Sequence, residues 1–106
     1  RRLASSTGRE AMMLRLNLGV ALMKVESWED AVTELKQVTL GSSPGVSDGT
    51  VQYLLARCYG KLGMLTQEAA ALDLAGKSDG AQLVVNGPLI TELVKRERAG
   101  ARPGGR

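Results

Sequence analysis

Residues 10–38 read EAMMLRLNLGVALMKVESWEDAVTELKQV, and residues 47–75 read SDGTVQYLLARCYGKLGMLTQEAAALDLA. In the first stretch Leu14, Leu18, Ala21, Leu22 and Val25 recur at three- and four-residue steps, which predicts a helix over 10–25. Ser27 reads as the N-cap of a second helix, with Glu29 and Asp30 in its first turn, where anions favour the positive end of the helix dipole. Ala31, Leu35 and Val38 give that helix one apolar stripe, and the Gly-Ser-Ser-Pro-Gly run at 41–45 stops it. In the second stretch Ser47 or Asp48 caps a third helix running to about Lys61. Gly63 supplies a turn, and Thr66 opens an Ala-rich fourth helix ending at Gly76.

Outward from these stretches the signals weaken. Residues 77–80 read as a turn. The last element either starts near Ala81 and is interrupted by Gly87-Pro88, or starts at Pro88, which suits a first helical turn. Leu89, Ile90, Leu93 and Val94 give it an apolar side, with Glu92, Lys95 and Arg96 opposite. Short Val-containing runs at Val51 and Val84 are compatible with strands, but the helical spacing and Ala content around them favour helix. The expected organisation is a basic N-terminal segment (1–9), two helix hairpins (10–79), a C-terminal capping helix (80–98) and a disordered Gly/Arg tail (99–106).

Composition narrows the chemistry. The chain has 106 residues, about one small domain, with 43% hydrophobic and 24% charged residues, the balance of a folded protein. It has no histidine, which removes His-based triads, bases and metal ligands. Its single cysteine, Cys58, permits neither an internal disulfide nor a Cys-based zinc site, and reads as a small buried residue. No nucleophile–base pair presents itself, so no enzyme, cofactor or metal is expected. With no phenylalanine and 3% aromatics, the core must be Leu, Val, Ala and Met, which suits close-packed helices. Met12, Met13, Met23 and Met64 read as core filler. No apolar run is long enough for a transmembrane helix.

The net charge of +3 sits at the ends, with Arg1, Arg2 and Arg9 at one and Lys95, Arg96, Arg98, Arg102 and Arg106 at the other. Arg2-Leu3-Ala4-Ser5 also matches a basophilic kinase site, a pattern that arises often by chance. An intracellular setting is expected, cytoplasmic first. Organelle import stays open because residues 1–9 carry Arg and Ser without acid.

The two stretches repeat one another. Leu18 and Leu55, Leu22 and Tyr59, Leu35 and Leu72, and Val38 and Ala75 each stand 37 residues apart (55 minus 18 for the first pair). This pattern resembles the tetratricopeptide-repeat (TPR) family, whose repeat is about 34 residues; a longer loop at 41–49 accounts for the surplus. In the first copy Leu18-Gly19 match the family's Leu-Gly pair, Leu22 its Tyr-like place, Ala31 its small place and Leu35 the bulky place after it. In the second, Leu55-Ala56, Tyr59, Gly63, Leu72 and Ala75 match. Arg15 departs from the usual bulky aromatic. Glu68 stands in the small place with Ala69 beside it, so either this turn is one residue longer or this helix pair is splayed. Trp28 falls in the helix–helix turn, where the family often has an aromatic.

The resemblance implies an all-α solenoid of antiparallel hairpins, two TPR-like repeats plus a C-terminal capping helix. The expected piece is the C-terminal end of a longer solenoid or a small docking module. It also implies a concave groove lined by the first helix of each pair, here Leu16, Asn17, Val20, Lys24, Tyr53, Leu54, Arg57 and Lys61. Asn17 stands where TPR asparagines hold a peptide backbone. The chaperone-tail clamp of the family is broken, with Thr50 and Leu54 in the cationic places. The expected function is a scaffold or adaptor presenting this groove to a peptide or a neighbouring subunit of an assembly. The alternative is an RNA-binding helical repeat using the basic ends, against which the scarcity of stacking aromatics counts. A third reading is a helical, structural domain of a larger enzyme.

Overall fold

In a computed structural model the chain is described over residues 3–42 and 44–101, and these residues are all-α. The five helices are α1 (Leu3–Lys24), α2 (Trp28–Leu35), α3 (Asp48–Lys61), α4 (Leu65–Gly76) and α5 (Ile90–Ala101). No helix among the described residues is long and apolar enough to cross a membrane.

Helices α1 and α2 pack antiparallel through a tight turn in which Glu26 adopts a left-handed conformation, φ 63°. Ser27 occupies the N-cap place, but its side chain makes no capping hydrogen bond; Glu29 and Asp30 lie in the first turn of α2. Gly19 permits the close approach. A Cβ there would lie 2.7 Å from Leu35 Cδ2 and 2.8 Å from its Cγ. Ala31 and Leu35 are fully buried beneath α1. Along the pair, Arg15 reaches Glu34 at 3.0 Å and Gln37 at 3.1 Å.

Helix α3 is the central element, buried from Gly49 to Cys58 on all sides but one. It begins where Asp48 Oδ1 accepts from the Leu40 amide at 2.7 Å. Thr50, fully buried, accepts from the Ser47 amide at 3.1 Å and donates to the Gln82 carbonyl at 2.6 Å. Helix α4 returns antiparallel, burying Ala71 and Ala75, and Gly63 turns the chain between them at φ 75°. The main core joins Leu16, Ala31, Leu35, Val51, Leu54, Leu55 and Ala56, with Cys58 and Ala71. A second, smaller cluster seats α5 on the molecule through Tyr53, Ala75, Ala81, Ile90 and Val94.

Several expectations shift. Helix α1 starts by Leu3 rather than Glu10, so most of the basic N-terminal segment is helical. Helix α4 starts at Leu65. Residues 81–89, expected within the capping helix, form an ordered loop, and α5 starts at Ile90 and runs through Ala101 into the expected tail. The loop is held by single backbone bridges: Gly45 to Ala81 and Gln82 to Leu89. Residues 1–2 and 102–106, which hold Arg1, Arg2, Arg102 and Arg106, lie outside the described residues. Leu14, Leu18 and Val25 are exposed, and α1 buries Leu16 and Gly19 instead. Both sets recur at helical spacing, so periodicity alone does not say which faces inward.

Candidate partner-binding groove

The eight expected groove residues divide between two places. Leu16, Asn17, Val20 and Lys24 of α1 and Leu54 of α3 line one cavity of about 480 Å³. Its remaining walls are Met13, Val46, Leu83, Val84 and Val85. Residues 13, 16, 17, 20 and 24 share one side of a helix, so α1 forms a wall roughly three turns long. Leu16 and Leu54 are buried at its floor, while Asn17 and Lys24 are exposed at the rim. Val84 and Val85 stand opposite, 56% and 74% exposed. The lining is thus apolar with one amide and one ammonium, the pattern of a site that takes an apolar group and fixes its orientation through few polar contacts.

The wall opposite α1 comes from the 81–89 loop. Its shape is set by a tight turn at Val84–Gly87, where the Gly87 amide donates to the Val84 carbonyl at 2.8 Å and Asn86 takes φ 60°. A Cβ on Gly87 would lie 2.6 Å from Val84 Cγ2. Gln82 Nε2 donates to the Gly87 carbonyl at 3.2 Å and closes the turn from below. Whether the last helix starts near Ala81 or at Pro88, the sequence reading places no groove residue in this segment; the Asn86-Gly87 pair is the turn signal that locates it. Arg9 of α1 reaches the backbone carbonyl of Val46 at 3.5 Å and ties the first turns of α1 to that wall residue.

Tyr53, Arg57 and Lys61 do not reach this cavity. Tyr53 is covered by α5, and its hydroxyl lies 3.3 Å from Glu97 Oε2, to which it donates. Arg57 pairs with the same carboxylate at 3.1 Å and sits 5.9 Å from the Tyr53 ring centre. Burial, more than the neighbouring Glu97 charge, raises the Tyr53 pKa, against the opposing pull of Arg57. Lys61 Nζ stands 5.8 Å from the Trp28 ring centre, a cation–π distance. Trp28, Arg57, Gly60, Lys61, Glu68 and Glu97 line a second, open depression of about 380 Å³. Its two cations face two carboxylates, so it offers no excess charge to a ligand.

The expected repeat positions are distributed as follows. Gly19, Ala31, Leu35, Leu55, Ala56 and Ala75 are buried, and Leu22, Tyr59 and Leu72 are partly buried against the core. Gly63 is in the turn, and Leu18 is 47% exposed. Cys58 is buried, and burial pushes its thiol up to about 11 despite the adjacent Arg57, so at neutral pH it is a protonated, apolar filler. Among the described residues no group of three Cys, Asp or Glu side chains is placed to hold a metal ion. Comparison with protein-family models, with curated proteins and with solved structures gives no match for this chain.

Proposed function

We propose that the chain is a TPR-like protein-interaction module, a scaffold or adaptor with two helix hairpins, α1–α2 and α3–α4, and α5 as the terminal cap. Its partner is a peptide segment or neighbouring subunit with apolar side chains and acidic groups, held in an intracellular, cytoplasmic setting. The observation that carries this reading is the 480 Å³ apolar cavity with Asn17 and Lys24 at its rim. The Asn17 amide can both donate to and accept from a peptide backbone, and Lys24 offers an ammonium to a carboxylate. Gly19 against Leu35 and the buried Ala31 and Ala56 give the helix approach that the repeat resemblance requires. The reading is of a binding module without catalysis, cofactor or metal.

The test is affinity capture from cell lysate with the wild-type chain, Asn17→Ala and Val85→Asp, read by mass spectrometry. Both substitutions are at exposed positions, so the fold is retained. One or a few proteins captured by wild type and lost with Val85→Asp support the groove. Capture that both variants leave unchanged refutes it. Capture abolished by nuclease and by raised salt replaces it with the RNA-binding alternative.

A further inference from the structure

Helix α1 is apolar on two opposite sides. One side locks onto α2 and α3 through Leu16 and Gly19. The other carries Ala11, Leu14, Leu18 and Ala21, with Val25 in the turn just past its end, all exposed; Leu14 is 69%, Leu18 47% and Val25 70% exposed. These five positions step by three, four, three and four residues, the alternation that keeps a seam facing a partner helix. Three large apolar side chains, Leu14, Leu18 and Val25, exposed along one line with two alanines between and before them, form the kind of surface that a partner covers.

The flanking charges indicate what covers it. Glu10 and Lys24 border the seam on the same side, two heptads or about 21 Å apart. Neither forms an ion pair among the described residues. We propose that this face pairs with α1 of a second copy of the chain, antiparallel about a two-fold axis. Glu10 of each copy then meets Lys24 of the other, and the symmetry makes the pair twice. Asn17 lies midway between them, near the axis, where the two amides can bond to each other. On the opposite flank the two Arg15 side chains approach, each guanidinium already matched by its own Glu34 at 3.0 Å. A parallel pairing fits less well. It aims Glu10 at an Arg15 that Glu34 already engages, and Lys24, the last residue of α1, has no carboxylate opposite. The apolar seam is separate from the peptide cavity, which neither Leu14 nor Leu18 lines, but Asn17 and Lys24 border both, so a peptide and a second copy would compete for these two side chains.

Sedimentation equilibrium of the full chain across the micromolar range tests it. The wild type is expected to dimerise, and Leu14→Glu/Leu18→Glu to be monomeric with unchanged helical circular dichroism, since neither side chain is buried. Glu10→Lys and Lys24→Glu should each weaken the dimer roughly tenfold, the scale of two exposed ion pairs turned repulsive. The double swap should restore it. A wild type that stays monomeric, or a dimer that survives the two glutamates, overturns the proposal. Single swaps without effect, or a double swap that stays weak, overturn the antiparallel pairing.

Discussion

The α1–α2 and α3–α4 pairs bring their helices together by different means. In the first, a glycine of α1 receives a fully buried leucine: Gly19 lies against Leu35, with Ala31 alongside. In the second, small residues line both partners, with Ala56 on α3 and Ala71 and Ala75 on α4, and the glycine near the turn, Gly60, faces only the Glu68 carboxylate. The second pair is also covered by α5, whereas the outer side of the first is bare. A close approach enforced by buried hydrocarbon tolerates little change, whereas one that meets the tip of a flexible side chain can yield.

The largest expected effect breaks the first pair. Leu35→Ala should cost about 2–5 kcal/mol in denaturant unfolding, because its cavity lies where Gly19 and Ala31 cannot collapse inward. Next comes the junction that ties α3 to the 81–89 loop. Thr50→Val removes the donor to Gln82 and the acceptor for Ser47, and should cost about 1–3 kcal/mol. The two glycines then sharpen the contrast directly. Gly19→Ala should destabilise by about 1–3 kcal/mol, because its methyl has to displace a buried leucine. Gly60→Ala should be neutral or stabilising by up to about 1 kcal/mol, because Glu68 can swing aside and alanine is the better helix former. Equal penalties at the two sites would erase the distinction drawn between the pairs.

Two smaller effects probe the α3 surfaces. The folded Cys58 thiol titrates at about 11 and the ordinary thiol near 9.0, so stability is independent of this group below pH 9 and falls as pH rises from there towards 11. Cys58→Ala should flatten that part of the profile. Native Cys58 should resist thiol reagents at neutral pH until the protein unfolds. Smallest of all, Glu97→Gln should change stability by less than about 1 kcal/mol, since its pairing with Arg57 is partly exposed.

The helical class was legible in the sequence because Ala, Leu and Met at three- and four-residue steps dominate 10–38 and 47–75, and because Gly63 and the 41–45 run punctuate them. The orientation of α1 was not legible. The 14–18–21–25 line and the 12–16–19–23 line have the same period, and only the partners of Gly19 and Leu16 distinguish them. At the candidate site, five of the expected groove residues converge on one cavity: Leu16, Asn17, Val20, Lys24 and Leu54. Tyr53, Arg57 and Lys61 were drawn off by α5 and Trp28, partners that lie far away in sequence. The opposing wall was hidden because Leu83, Val84 and Val85 look like helix interior until the backbone reversal at Asn86-Gly87 is given its weight.

The bond from Thr50 to Gln82 and the bridge from Gly45 to Ala81 join residues 32 and 36 positions apart, whereas each helix pair closes through a turn of a few residues. Local pairs close early in folding, and such distant links close late. Segments that close last and bury little are also the first to open in the native state. The 81–89 wall is therefore expected to open more readily than the helices. The amides of Gly45, Gln82 and Leu83 are expected to exchange with solvent faster than those within α3. A ligand seated against Val84 and Val85 would register first as slowed exchange at these amides, with only a slight rise in the melting temperature.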